Sequence, residues 1–208
     1  MPASRALAVA LLLLACTSCA PDRQPTTPSP AASSPTAMTP TAAALPPGAL
    51  VELVPLPEEL PAGMTAVADS AGPLDIEAVA GLVPDSDAAR TELVRNDFRD
   101  GYTADFSDAA SGAFVSVLVL RYGAAYGASR QVAFERAQPD QGAAPVPVAA
   151  IGDVSSAKRE RVREADVAEF VSVRFRGREI VWLVEVGGLA DDLATARDIA
   201  VRLARRTS

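Results

Sequence analysis

Histidine is absent from all 208 residues, lysine occurs once, as Lys158, and the only cysteines, Cys16 and Cys19, lie within the first 20 positions. Without histidine there is no Ser-His-Asp or Cys-His site and no zinc site built on imidazole. Two cysteines this close together at a chain end staple no useful loop. Aromatic residues make up only 5% of the chain. The apolar run at the front, Ala6 to Ala15, is ten residues long. As a helix it would rise about 15 Å, half of a roughly 30 Å hydrocarbon core, so it calls for no permanent membrane span. Mean hydropathy of +0.17 comes largely from alanine and from this run.

What is present at the N-terminus is export grammar: one cation, Arg5, then the apolar run, then small residues around the two cysteines. Residues 1–15 are expected to be removed as a signal peptide. The run Leu13-Leu14-Ala15-Cys16 resembles the lipobox of bacterial lipoproteins, in which aliphatic and small residues precede a cysteine that becomes the lipidated mature N-terminus. The resemblance implies a diacylglyceryl group on Cys16, palmitate-type acylation and attachment to the membrane through lipid. Two acyl chains hold stably where one would exchange, because each buried methylene contributes about 0.8 kcal/mol. Thr17 stands where inner-membrane retention would want aspartate, so an outer membrane is open if the host has one.

Residues 16–48 read as the lipidated end and a linker. From Pro21 to Gly48 there are eight prolines, eight serines or threonines and only two charged residues, Asp22 and Arg23. A segment so poor in large apolar side chains builds no core and is expected to be disordered. At about 3.1 Å per residue in polyproline geometry it would hold a folded domain well clear of the membrane.

Residues 49–208 are long enough to bury a core without disulfides. They carry 17 basic and 25 acidic residues, a net charge of −8. That balance disfavours nucleic acid and anionic membrane as partners. Acid is concentrated before Ser111, which leaves room for an acidic face toward a cation or basic partner unless folding mixes the halves.

The pattern predicts an extended, proline-broken lead-in over 51–61 and two short helices over 74–82 and 85–96, the second capped by Asp85 or Ser86. A strand comes next, in which Phe98, Tyr102 and Phe106 share one side. The segment Ala113 to Tyr122 is apolar on both faces and suits a central strand. Gly123 introduces a helix to about Gln138 with a poor apolar stripe interrupted by Gly127. Residues 139–149 read as a loop and Ile151-Gly152-Asp153 as a turn. Ala157 to Ala165, mostly charged, reads as an edge strand or solvated hairpin arm. Val167, Val171, Val173 and Phe175 on one face, and Ile180, Trp182, Val184 and Val186 on another, form a hairpin through Arg176-Gly177-Arg178. Asp191 and Asp192 open a last helix with Leu189, Leu193, Ala196, Ile199 and Leu203 near one face, closed by Arg202, Arg205 and Arg206. The fold class is therefore α+β, an antiparallel sheet packed with helices as a sandwich after the disordered N-terminal segment. Two stretches, ending in Tyr122-Gly123 and Gly187-Gly188, both run strand, glycine, helix. With Gly152-Asp153, Arg176-Gly177-Arg178 and Leu189 to Arg205, these features resemble the ectodomains of small uncharacterised bacterial lipoproteins, and a PsbP-like sandwich is a further possible relative.

Catalytic patterns are thin. Ser155-Ser156-Ala157-Lys158 has S-x-x-K spacing, but the lone lysine removes the companion K-T-G. Asp85-x-Asp87 and Asp105-x-x-Asp108 lack the glycine and distal glutamate of a calcium loop, and capping and turn chemistry account for both. Lys158, Arg159, Arg161 and Arg163 form a basic run broken by Glu160 and Glu164, which reads as a solvated edge. No catalytic residue, metal ligand or cofactor is assigned; Cys16 alone is named, for lipid attachment. The expected function is a membrane-anchored extracytoplasmic interaction or accessory domain for an envelope protein, polymer or lipid. The alternatives are a carrier of an apolar ligand, with a cavity lined by Val115, Val117, Val119 and Trp182, and a carboxylate-only enzyme.

Overall fold

A computed structural model describes residues 49–83, 85–137, 143–161 and 169–207. The signal segment, Cys16, Cys19, the linker, Arg163 and Val167 lie outside the described residues. Within them the chain folds as an α+β domain, helices on both faces of an eight-stranded antiparallel sheet. Two 3-10 turns, Ala49–Leu53 and Pro57–Glu59, precede β1 (Thr65–Ala66), β2 (Gly72–Leu74), α1 (Ile76–Ala80) and α2 (Ser86–Arg95). Then come β3 (Phe98–Ser107), β4 (Phe114–Tyr122), α3 (Ala125–Ala137), β5 (Ala144–Val146), β6 (Val154–Glu160), β7 (Phe170–Gly177), β8 (Ile180–Gly187) and α4 (Asp192–Ala204). Strand order is β1-β3-β4-β8-β7-β6-β5, with β2 also on the outer side of β3. The two central strands, β4 and β8, each feed a helix, α3 and α4, and these helices pack on opposite faces.

One face is a continuous apolar layer. Val115, Val117, Val119, Val171, Val173, Phe175, Trp182, Val184 and Val186 are fully buried there against Ala196, Ile199, Ala200 and Leu203 of α4. Side chains of this size contribute roughly 1.5–3 kcal/mol each on full burial, so this layer supplies most of the fold's hydrophobic stabilisation. Phe175 and Trp182 stack with centroids 4.9 Å apart, and Trp182 Nε1–H donates to the Leu53 carbonyl at 3.2 Å. Leu50, Leu53, Val54 and Leu60 close the layer from the lead-in. Arg206, just past α4, donates to the carbonyls of Glu52 (2.7 Å) and Val54 (2.5 Å) and pairs with Glu59, tying both ends of the domain together.

Several sequence expectations shift. The lead-in coils into 3-10 turns instead of running extended, because its leucines reach the α4 layer only from a turning backbone. Phe98 does not share a side with Tyr102 and Phe106: a bulge between Phe98 and Asp100 turns it to the opposite face, edge-on to Tyr122 at 6.0 Å. The two halves of the hairpin face the same side, since Phe175 pairs directly with Trp182, and its two-residue turn is Arg178-Glu179, with Arg178 at φ 55°. Strand β6 is not an edge, because Ala144–Val146, expected in a loop, pairs along its outer side. The expected cap of α2 is Asp85, which accepts from the Ala88 N–H; Asp191, read only as opening the last helix, caps α4 by accepting from the Ala194 N–H.

Candidate functional site

On the second face the apolar cover is incomplete, and the reason begins in α3. Its buried side runs Ala128, Gln131, Val132, Glu135, the spacing of one helical face, so half of what it turns inward is polar. The helix can lie this close because Gly127 abuts the α2–β3 connection, where an added Cβ would stand 2.0 Å from the Asn96 carbonyl oxygen. Asn96 Nδ2 donates to Gln131 Oε1 (2.9 Å), Gln131 Nε2 donates to Glu135 Oε1 (2.8 Å), and Glu135 Oε2 lies 2.8 Å from Arg174 Nε on β7. The Tyr122 hydroxyl is buried beside this relay without a hydrogen bond. Burial first, and Glu135 second, push its ionisation well above the usual phenol range, which keeps it neutral. Gln131, Glu135 and Arg174 form the polar wall of a pocket of about 50 Å³ whose remaining lining, including Leu93, Leu118, Phe134 and Leu183, is apolar.

Beyond Leu118 and Leu183 the sheet turns polar. Strand pairing sets Asp105, Ser116, Glu185, Ser172 and Lys158 side by side across β3, β4, β8, β7 and β6. All five point to the α3 side of the sheet by strand alternation, opposite the α4 layer. Ser116 Oγ donates to Asp105 Oδ1 at 2.6 Å, and Ser172 Oγ donates to Glu160 Oε1 at 2.9 Å. Both hydroxyls that flank Glu185 therefore spend their protons on the outer carboxylates. Glu185 itself is 7% exposed; no described residue donates to its carboxylate, whose oxygens keep a narrow opening to solvent. Burial raises its pKa from 4.5 to about 7; Glu160 and Asp105 push the same way, and Arg174 opposes. A largely buried carboxyl with no protein donor is partly stripped of water at a free-energy cost that folding alone does not require.

The candidate residues drawn from sequence motifs do not meet here as sites. Ser155 and Lys158, three apart on a strand, fall on opposite faces, and Ser155 Oγ accepts from the Ile151 N–H at 3.1 Å. Asp85 is a helix cap and Asp108 holds a turn through Ala110 N–H and Ser111 Oγ. Arg159 pairs with Glu169 at 3.1 Å. Early acids pair with later arginines, Asp100 with Arg121 and Glu59 with Arg206, so the halves of the charge distribution are partly mixed. Val115, Val117, Val119 and Trp182 belong to the packed layer under α4, away from the pocket. Among the described residues no group of three or more histidine, cysteine, aspartate or glutamate side chains could hold a metal ion. No helix among them is long and apolar enough to cross a membrane. Sequence reasoning missed Glu185, Glu135, Gln131 and Arg174; a single glutamate inside the apolar run of β8 was the available signal.

No protein-family model matches the sequence, and no curated protein matches it. The fold is similar to that of the extracellular domain of PknH from Mycobacterium tuberculosis. The likeness covers 76% of this chain and 93% of that one, at a TM-score of 0.52 and 13% identity. At that identity it concerns the fold alone.

Proposed function

We propose that this chain is a lipid-anchored extracytoplasmic recognition domain, moored through Cys16 and carried on the linker of residues 16–48. On this reading it acts without catalysis, through the polar half of its sheet, on an envelope protein, polymer or lipid. The observation that carries the recognition role is Glu185, buried at the centre of a half-covered polar row and left without a donor. Such a group is a cost to the domain alone and an asset once a partner supplies the missing donor. Export grammar before Cys16 supports the location, as does a fold shared with a domain described as extracellular. The carrier reading ranks second, because ligand pockets commonly run to about 300–1,000 Å³ and the pocket beside α3 is about 50 Å³.

Anchoring is tested by intact mass and membrane fractionation of the mature protein and of Cys16→Ser. The expected result is added lipid mass and membrane retention that the variant loses; a bare polypeptide mass for the native protein would overturn the anchor. Recognition is tested with a photo-crosslinking residue in intact host cells. Adducts are expected from Ser156, half-buried on the polar face, and not from the exposed Thr91 on α2. Equal or absent adducts at both positions would remove the recognition face.

A further inference from the structure

We propose that the row centred on Glu185 is a binding site for an organic cation, in which the ammonium or guanidinium group of a ligand donates hydrogen bonds to the Glu185 carboxylate. The inference rests on the recognition reading above and names the chemistry of the group recognised.

Three features of the row point to a donor-rich cation. Glu185 is more than nine-tenths buried, has no donor of its own and points into the row. Asp105 and Glu160 lie on strands two removed on either side and reach inward as far as the Ser116 and Ser172 hydroxyls, so one hydroxyl stands between each of them and Glu185. Acceptors spread across the strands in this way suit an extended cation, and among the described residues no group of three or more carboxylates is placed to hold a metal ion. Ser116 and Ser172, having given their protons outward, present only acceptor lone pairs toward the centre.

The charges around Glu185 are Asp105 from β3, Lys158 and Glu160 from β6, Arg174 from β7 and Glu135 from α3. The Arg174 guanidinium is engaged by Glu135 at 2.8 Å, and Lys158 ends the row one strand beyond Ser172. Three carboxylates against one lysine leave the row acidic once Glu185 ionises. Binding a cation would favour that ionised form and release a proton, so affinity is coupled to pH through Glu185.

The test is titration calorimetry of the purified full chain with spermidine at low ionic strength, at pH 5.5 and 7.5, in two buffers of different ionisation heat. Spermidine should bind roughly 25-fold more tightly at the higher pH, the ratio of ionised Glu185 at a pKa of about 7, with buffer-dependent heat showing proton release. Glu185→Gln should abolish both the binding and its pH dependence, while Glu77→Gln, an exposed α1 residue paired with Arg90, should leave them unchanged. Urea unfolding of each variant confirms that it is folded, and should Glu185→Gln not fold, the buffer-dependent proton release of the native protein decides alone. No binding by the folded protein at either pH, binding without proton release, or equal binding by Glu185→Gln would overturn the proposal. Crosslinks from Ser156 together with spermidine failure would remove the cation chemistry and leave the recognition face standing. Spermidine binding without those crosslinks would do the reverse.

Discussion

Replacing Glu185 by glutamine keeps the shape of the side chain and removes its charge, so its effect on stability should depend on pH. An acid whose pKa rises on folding holds its proton longer in the native state than in the unfolded chain. Between 4.5 and about 7 the native protein therefore binds more protons, and stability is full below that window and declines as pH rises through it. The displacement corresponds to about 3 kcal/mol at 1.36 kcal/mol per unit, a cost incurred because burial removes water and no described residue donates in its place. At pH 4.5 the native and Glu185→Gln proteins should be about equally stable. At pH 8.5 the variant should be more stable by about 3 kcal/mol, roughly 6–12 °C in Tm for a domain of this size. Urea denaturation at both pH values, read from the midpoint with the slope held constant, measures this. A variant stabilised equally at both pH values, or destabilised at pH 8.5, would refute the reasoning.

Three structural predictions stand beside it. Gly127→Ala drives a Cβ into the Asn96 backbone carbonyl and should destabilise by about 1–3 kcal/mol, seen as a lower urea midpoint, with Ser129→Ala on the same helix as an exposed-side comparison. Trp182→Phe leaves a void against Phe175 and strips the Leu53 carbonyl of its donor; thermal unfolding should show a loss of about 2–4 kcal/mol. Arg206→Ala frees the lead-in from the end of α4 and should cost about 1–2 kcal/mol, with faster amide exchange confined to residues 49–60.

Much of the architecture was legible because burial is periodic. The doubly apolar β4, the β7–β8 hairpin and the stripe of α4 each bury a face that strand or helix spacing writes into the sequence. Asp85 and Asp191 announced their helices for a local reason, a side-chain oxygen meeting a free N–H three residues on. Phe98 misled because one bulged residue reverses every side chain on the far side of it. The α3 stripe looked weak since its inward face is partly Gln131 and Glu135, whose partners, Asn96 and Arg174, are distant in sequence. The row around Glu185 was hidden for the same reason: it is assembled by the register of five strands, and no local pattern places Asp105 beside Ser116 or Glu185 beside Ser172.

The central claim, that the domain holds Glu185 without a donor so that a ligand can supply one, is tested most directly by a carboxyl carbon-13 titration of Glu185 in the full chain, with and without spermidine. A midpoint near 7 that falls when spermidine is added is the expected result. A midpoint at the ordinary value of 4.5, or one indifferent to spermidine, would contradict it.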